Sequence, residues 1–147
     1  MPMCIEFRGK RKDNGEWVYG YLYITHNGEY EISNYDAKYN IERMTHIVIP
    51  KTVGQYTGLT DMYGNKIFEG DVVKCTDEIN DFEFMAVVLF GNPNAQYNWG
   101  FQLKQISGEK ANTNILLWVE MEETGAFIEV IGNIFDNPEL LKGGEVK

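Results

Sequence analysis

Turn-forming residues interrupt the sequence about every ten residues, and this spacing limits how the chain can fold. The runs DVVKCT, FEFMAVVLFG, QYNWGFQLK and AFIEVIGNIF are apolar or aromatic, and each is bounded by Gly, Asn, Asp or Pro. Such short runs are typical of a small β-barrel or β-sandwich rather than of alternating helices and strands. An aromatic content of 14%, with fifteen Gly and four Pro, also suits short strands joined by tight turns. We therefore predict a mainly β fold.

Two Asn-Gly pairs predict β-hairpins near the amino terminus, because Asn and Gly tolerate the positive φ angles of a type I′ turn. Asn14-Gly15 precedes the run EWVYGYLYIT, and Asn27-Gly28 separates that run from EYEIS. With CIEFR as the first strand and GKRKDNG as the first connection, residues 4–34 are predicted to form a three-stranded antiparallel meander.

Two segments, residues 35–45 and 112–122, are left open between helix, strand and loop. The β-branched run HIVIP, residues 46–50, follows the first and is a predicted strand, which Pro50 ends because proline cannot continue a sheet ladder. NILLWVEM, in the second, is too short for periodicity to separate a buried strand from a helical turn. DNPELL, residues 136–141, predicts a short C-terminal helix, since Asp or Asn can cap it and Pro138 suits its first position.

Hydropathy and cysteine usage point to a cytoplasmic protein. No run of about 18 apolar residues occurs, and the start MPMCIEFRGKRKDNG lacks the apolar core of a signal peptide, so we expect no membrane partner. Cys4 and Cys75 stand outside any Cys-x-x-Cys pair or His cluster, which favours reduced thiols over a disulfide. The formal net charge of −9 is the opposite of the usual balance in a general nucleic-acid binder.

The chain lacks the sequence patterns that hold phosphates, metals or an activated nucleophile. Gly58 and Gly64 do not have P-loop spacing, and no Lys-Ser or Lys-Thr follows them. Neither His26 nor His46 lies in a metal-ligand or nucleophile-and-base pattern. Acids near the glycine turns have the wrong spacing for a calcium loop and instead suit turns in which Asp or Asn binds backbone amides. We therefore expect no enzyme activity, no cofactor and no bound metal.

One acidic pair and two charged runs are weaker candidates. Glu69 and Asp71 would share a face of a regular strand as an acid/base pair, but Gly70 between them favours a strand entry or bulge. The run RGKRK at 8–12 can contact phosphate or an acidic partner, and TDEINDFEF at 76–84 can contact a basic one. Runs of this length are more often solvated loops or protection of a sheet edge.

The run EWVYGYLYIT carries the strongest indication of binding. Because side chains alternate between the two faces of a strand, one tryptophan and three tyrosines fall on the same face. A second sheet or a partner subunit has to cover such a face, and Tyr and Trp are enriched at binding hot spots. The candidate interaction residues are Trp17, Tyr19, Tyr21, Tyr23, Tyr56 and Tyr63.

Three segments, in this order and spacing, resemble the YopX protein family, which is carried by bacteriophages and prophages. They are FRG with the WVYG hairpin, QYTGLTDMYGNKIFEGDVV at 55–73, and EVIGNIFDNPELL at 129–141. Residues 77–125 match weakly. The resemblance implies a mainly β protein with an SH3-like segment and no catalytic residues or cofactor. The residues expected to define the fold are Gly58, Gly64, Gly70, Asp71, Gly132 and Asn133.

These inferences combine into one architecture and one leading function. We predict an amino-terminal meander, residues 1–53, packed on an SH3-like β-barrel, residues 54–147, that ends in a short helix and pairs GDVV with EVIGNIF. We expect a non-enzymatic protein-binding or assembly module of phage or prophage origin, acting in the host cytoplasm on itself or a host protein.

Three alternatives to this function stay open. The first is a nucleic-acid-binding β-barrel, whose exposed aromatics stack on single-stranded bases. The second is an acidic protein that engages a basic host DNA-binding protein. The third is an enzyme, which would require a pocket that gathers Asp61, Glu69, Asp71 or a histidine.

Overall fold

The computed structural model describes residues 5–36, 41–95, 99–108, 113–120 and 125–145. Short antiparallel strands dominate these ranges and confirm the predicted mainly β fold. The strands are β1 (Phe7–Lys10), β2 (Trp17–Ile24), β3 (Tyr30–Asp36), β4 (Ile41–Val48), β5 (Gly54–Thr60), β6 (Lys66–Phe68), β7 (Asp71–Asp77), β8 (Phe82–Gly91), β9 (Gly100–Gly108) and β10 (Ala126–Asn133). An α-helix, α1, spans Ile115–Glu120, and 3-10 helices span Pro50–Thr52 and Pro138–Glu145.

Contacts between residues divide the chain into two compact units, Met1–Gly58 and Leu59–Lys147, called below the first and second units. The division falls inside β5, whereas the sequence analysis placed the boundary between residues 53 and 54. Gly54 and Gln55 pair with β1, which places the start of β5 in the first unit. The SH3-like barrel over residues 54–147 stays a prediction.

In the first unit the hydrogen-bonded strand order is β4-β3-β2-β1-β5. Strands β1 to β4 follow one another as an antiparallel meander, which includes the three strands predicted from the sequence. A bridge between Arg11 and Val48 brings the end of β4 back beside the end of β1. Of the segment that the sequence left open, residues 35–36 and 41–45 are strand, and residues 37–40 lie outside the described residues.

The first strand lies further along the chain than the predicted CIEFR, because β1 begins at Phe7 and includes Gly9, which the sequence analysis placed in the following connection. Gly9 pairs with Val18, and a Cβ atom at Gly9 would lie 3.2 Å from side-chain atoms of Ile32 and Val48. Both of those side chains are only 1% exposed. The strand therefore continues through a glycine because two core side chains pack directly against its backbone.

The second unit contains a four-stranded antiparallel sheet of order β10-β7-β8-β9. The predicted pairing of GDVV with EVIGNIF is present, since Asp71 lies opposite Asn133 and Val73 opposite Val130, with a bulge after Val130. This sheet buries a core together with β6 and α1. The core residues are Ile67, Val73, Cys75, Phe84, Ala86, Val88, Leu103, Ile115, Trp118, Ala126 and Ile128.

The segment 112–122, which the sequence left open, contains the short helix α1. Residues 112 and 121–122 lie outside the described residues. The Asn114 side chain caps the start of α1 by accepting a hydrogen bond from the Leu116 amide at 3.1 Å. Trp118 is 3% exposed and packs edge-on against Phe84, with ring centroids 5.2 Å apart. The apolar run NILLWVEM is thus a helical turn that inserts one large ring into the core.

Candidate functional site

The surface most suited to binding is one face of β2, called here the β2 face, formed by Trp17, Tyr19, Tyr21 and Tyr23. Three of these side chains are well exposed, with 44% for Tyr19, 61% for Tyr21 and 63% for Tyr23. The alternate residues of β2 contribute to the other side of the sheet, where Ile32 of the neighbouring strand is 1% exposed. The sequence prediction that the four aromatic residues share a face therefore corresponds to a row of exposed rings.

The β2 face continues across two neighbouring strands. Tyr21 lies opposite Ser33, and Ser33 lies opposite Thr45 on β4. The hydroxyl oxygens of Ser33 and Thr45 are 2.7 Å apart, a hydrogen bond that ties β3 to β4 through their side chains. In the next row Tyr23 lies opposite Glu31 of β3. Directly opposed residues share a face, so the tyrosines border a polar strip as well as one another.

Two cations of β1 stand beside the β2 face at its amino-terminal end. Arg8 pairs with Tyr19 and Lys10 with Trp17 in the β1–β2 register. The Arg8 guanidinium carbon is 4.7 Å from the centroid of the Trp17 ring, and the Lys10 ammonium nitrogen is 5.5 Å from it. Both distances fall within the range of cation–π attraction. These contacts leave Trp17 half-buried and give one end of the aromatic row a positive border.

Charge is distributed very unevenly between the two units. Residues 1–58 contain seven Lys or Arg and seven Asp or Glu, and are neutral. Residues 59–147 hold the remaining six of the 13 basic residues and fifteen of the 22 acidic ones, and so carry the whole net charge of −9. The β2 face therefore belongs to a neutral unit, and two of the cations of that unit, Arg8 and Lys10, lie beside Trp17.

Gly20 lies between Tyr19 and Tyr21 along β2, and the sequence analysis did not single it out. A Cβ atom at Gly20 would lie 2.1 Å from the carbonyl oxygen of Ser33 and 2.8 Å from its carbonyl carbon. The backbone of β3 thus approaches β2 more closely than any side chain would allow. A glycine inside an aromatic strand was the available signal, because such a glycine often marks a close backbone approach.

The two other tyrosines predicted for the interaction surface lie outside the β2 face. Tyr56 is half-buried in β5, and its amide donates a hydrogen bond to the Glu6 carbonyl at 2.7 Å. Tyr63 is 66% exposed and lies in the turn between β5 and β6, in the second unit.

The turn that carries Tyr63 is organised by Asp61, which is only 6% exposed. One carboxylate oxygen accepts hydrogen bonds from the amides of Tyr63 at 2.9 Å and Asn65 at 2.8 Å. The other accepts the amide of Val130, in β10, at 3.0 Å. Burial raises the pKa of Asp61, but the hydrogen bonds from Val130, Asn65 and Tyr63 together outweigh it and hold the pKa below its ordinary value. The turn thus uses its aspartate to fix the backbone.

We expect the second unit to lose stability when Asp61 is protonated. Because its pKa is lower in the folded chain, the carboxylate stabilises the fold above the unfolded value of about 3.9, and this contribution disappears as the pH falls through the folded pKa. Asp61→Asn should lower the free energy of unfolding by about 1–3 kcal/mol at pH 7 and weaken its decrease at acid pH, called here the acid limb. Urea unfolding at a series of pH values from roughly 2 to 7 measures both effects.

Glu78→Gln, at an exposed acid of the same unit, is the matched control for charge removal. An unchanged unfolding midpoint and acid limb in Asp61→Asn would contradict the organising role of Asp61.

Three of the four glycines predicted to define the fold lie at positions that need left-handed backbone. The φ angles are +87° at Gly58, +83° at Gly64 and +94° at Gly70. Asp71 is 1% exposed, and its carboxylate accepts the Phe68 amide at 2.7 Å across the turn between β6 and β7. These residues shape turns and a strand entry.

The other two predicted fold-defining residues build the end of β10. A Cβ atom at Gly132 would lie 2.5 Å from the Asn137 side-chain oxygen, so only glycine leaves room for that side chain. The Asn133 side-chain oxygen accepts the amides of Phe135 at 3.0 Å and Asp136 at 2.9 Å. The Asn133 amide in turn donates to the Asn137 side-chain oxygen at 3.2 Å. This network turns the chain toward the 3-10 helix that follows.

An enzyme would require a pocket that gathers Asp61, Glu69, Asp71 or a histidine. Two cavities in the described part of the chain each contain one such residue. A cavity of about 110 Å³ in the second unit is lined by Asp61 but by neither Glu69 nor Asp71. A cavity of about 360 Å³ in the first unit is lined by His46. Among the described residues, no three His, Cys, Asp or Glu side chains are grouped as a metal site would require.

A buried cysteine and an acidic run are the other groups with potential reactivity, and the contacts of both stabilise the fold. Cys75 is a free, fully buried thiol, and burial raises its pKa, which disfavours the reactive thiolate. In the acidic run 76–84, Asp77 accepts the amides of Ile79 and Asn80, each at 3.0 Å. Hydrogen bonds from the Asn80 side chain and these amides lower the Asp77 pKa. The run therefore comprises the end of β7, an ordered hairpin turn at residues 78–81, and the start of β8.

A second exposed aromatic cluster, which the sequence analysis missed, lies in the second unit. Phe90 pairs with Phe101 across β8 and β9, with ring centroids 5.0 Å apart. Trp99 stands edge-on to Phe90 at 6.3 Å and is 75% exposed. The signal was the pair of runs LFG and WGF, whose register could not be read from the sequence.

The fold and the site define a mainly β protein with an exposed aromatic strand face, and the comparisons with known proteins place it in a family. Residues 6–142 match the YopX protein family, so the chain belongs to that family and the resemblance is confirmed. No curated protein matches the chain in sequence. No helix in the described part of the chain is long and apolar enough to cross a bilayer.

The fold is similar to the crystal structure of protein EF1440 from Enterococcus faecalis. The TM-score is 0.50 with 18% sequence identity, over 95% of this chain and 99% of that chain. At this level of identity the likeness concerns the fold alone.

Proposed function

We propose that this chain is a non-enzymatic protein-binding and assembly module of phage or prophage origin. It acts in the bacterial cytoplasm and associates with a second copy of itself through the β2 face. The observation that carries the proposal is the row of Tyr19, Tyr21 and Tyr23, each 44% exposed or more. Large aromatic side chains in a contiguous exposed row are typical of interface hot spots, because they bury much apolar area at low entropic cost.

The rigidity of the β2 face supports the same proposal. Its tyrosines project from a strand that is paired on both sides, by β1 and by β3. The Ser33–Thr45 hydrogen bond and the cations beside Trp17 fix the strands that border it. A partner would therefore meet a preorganised surface, which reduces the entropic cost of binding.

We expect Tyr21→Ser combined with Tyr23→Ser to abolish self-association. Truncating two hot-spot tyrosines should cost about 2–4 kcal/mol each, which weakens a micromolar dimer beyond detection. Sedimentation velocity at tens of micromolar, about the level at which such a dimer is populated, measures the effect. Tyr63→Ser is the matched control, since it removes an equally exposed tyrosine from the second unit.

A purely monomeric parent protein under these conditions, with no host protein captured on it, would count against the proposal. Capture of a host protein that requires Tyr21 and Tyr23 would instead assign the β2 face to that partner.

A second candidate function is the binding of single-stranded nucleic acid on the same face. It is favoured by the neutrality of the first unit and by the cations of Arg8 and Lys10 beside Trp17. Side chains two residues apart on a strand are about 6.6 Å apart, which allows successive rings to stack on successive bases. Salt-dependent binding of single-stranded DNA or RNA, weakened by neutralising Arg8, Lys10, Arg11 and Lys12, would favour this function. Absence of binding at low salt would exclude it.

A further inference from the structure

A cavity of about 360 Å³ opens in the first unit between β4 and the turn that follows β1. Its position follows from the way these strands part. Two contacts hold the two segments together. One is the bridge between Arg11 and Val48, and the other is a hydrogen bond from the Lys12 amide to the Ile47 carbonyl at 2.9 Å. The chain then turns away after Lys12, and β4 continues without it. The lining residues are Arg11, Lys12, Asp13, Thr45, His46 and Ile47.

The acid in this lining is already neutralised by a neighbour. The Arg11 guanidinium donates two hydrogen bonds to the Asp13 carboxylate, from Nε to Oδ1 at 2.9 Å and from an Nη to Oδ2 at 2.7 Å. This two-point contact fixes the arginine at the cavity wall and cancels the negative charge of Asp13. The lining therefore keeps a net positive charge from Lys12.

Two further donors line the cavity without using their hydrogen-bonding capacity on the protein. Within the described ranges, neither the Lys12 ammonium nor the His46 imidazole has a hydrogen-bond or ion-pair partner. The His46 residue is half-buried, whereas Lys12 is exposed. An imidazole and an ammonium from residues that line one cavity are donors for an acceptor that comes from outside the chain.

We propose that this cavity binds the oxyanion group of a small molecule, a phosphate or a carboxylate, between Lys12 and His46. The Lys12 ammonium supplies the charge, the His46 imidazole donates from the β4 side, and the Arg11–Asp13 pair forms the third wall. Thr45 and Ile47 complete the lining. The volume lies in the range of about 300–1,000 Å³ that small-molecule sites occupy. Thr45 also borders the β2 face, but none of the β2 aromatic residues lines the cavity.

The test is a titration of the full-length chain with inorganic phosphate, followed through the imidazole resonances by NMR. The pH is held constant, and sodium chloride keeps the ionic strength constant. The chain has two histidines, and His26→Gln assigns their signals. We expect the His46 signal to shift with saturation while that of His26, an exposed turn residue, stays in place.

Two lysine variants separate a built site from general charge attraction. Lys12→Gln should weaken phosphate binding about tenfold, as expected for the loss of one charge-assisted hydrogen bond. Lys51→Gln, at an exposed lysine of the same unit that does not line the cavity, should leave the affinity unchanged. A parallel titration with acetate identifies the source of the oxyanion, since the tighter of the two anions names the preferred group.

The proposal would be overturned if neither anion shifts the His46 signal with saturation, or if both histidines respond alike. Equal losses of affinity in Lys12→Gln and Lys51→Gln would also overturn it. Tyr21→Ser combined with Tyr23→Ser should leave phosphate affinity unchanged, so that failure of this site and failure of the β2 face are measured separately.

Discussion

Gly20→Ala should unfold the first unit or destabilise it by about 3 kcal/mol or more, through overpacking and backbone strain combined. The added Cβ atom would lie 2.1 Å from the Ser33 carbonyl oxygen. No side-chain rotation can relieve this contact, because the backbone fixes the position of a Cβ atom and the carbonyl is itself part of the backbone. The φ angle of +153° adds strain for any residue other than glycine. Relief requires β3 to move away from β2, which breaks the ladder that positions the β2 face.

Amide hydrogen exchange measures this effect unit by unit. We expect the amides of β2 and β3 to lose protection while those of β7 and β8 keep theirs, because the latter belong to the second unit. Gly28→Ala is the matched control, since Gly28 has a φ of +84° and no atom within 4 Å of an added Cβ. It should cost only the strain of a left-handed alanine, about 1–2 kcal/mol. Equal losses in both variants would contradict the close-approach argument.

Trp118→Ala should destabilise the second unit by about 3–5 kcal/mol, the usual cost of truncating a buried tryptophan. The indole is 3% exposed and stands edge-on to Phe84 at 5.2 Å and to Phe82 at 6.2 Å. Its removal leaves a void between α1 and the sheet, and Ile115 is then the one buried core residue that α1 contributes among the described side chains.

Urea unfolding measures the loss, and a fluorescence spectrum of the variant shows which emission belonged to the buried ring. Leu116→Ala is the control on the same helix, because Leu116 is 44% exposed and its truncation should cost less than about 1 kcal/mol. A stability of Trp118→Ala within about 1 kcal/mol of the Leu116→Ala value would contradict the anchoring role of Trp118.

The distribution of charge changes how the whole-chain value of −9 should be used. That value argues against nucleic-acid binding when it is applied to the entire sequence. Once the units are known, residues 1–58 are neutral and the excess of acids lies in residues 59–147. The net charge therefore argues against nucleic-acid binding by the second unit only. For the β2 face, the relevant charges are those of its own neighbours, Arg8 and Lys10.

The candidate surface could be read from the sequence only in part. Strict alternation placed Trp17, Tyr19, Tyr21 and Tyr23 on one face, because the side-chain period of a strand is fixed at two. The same reasoning could not place Tyr63, since its position depends on a turn held by an aspartate. The cavity beside His46 was equally out of reach, because its two walls come from segments over thirty residues apart in the sequence.

The sequence by itself determined the mainly β class, the meander of β1 to β3, the positive-φ turns at Gly15 and Gly28, and the pairing of GDVV with EVIGNIF. These follow from local rules, since turn chemistry and side-chain alternation act over a few residues, and from a family pattern. The tertiary structure alone decided the division inside β5, the strand that continues through Gly9, and the helical state of α1. Each of these depends on contacts between distant residues, where packing against a core outweighs local preference.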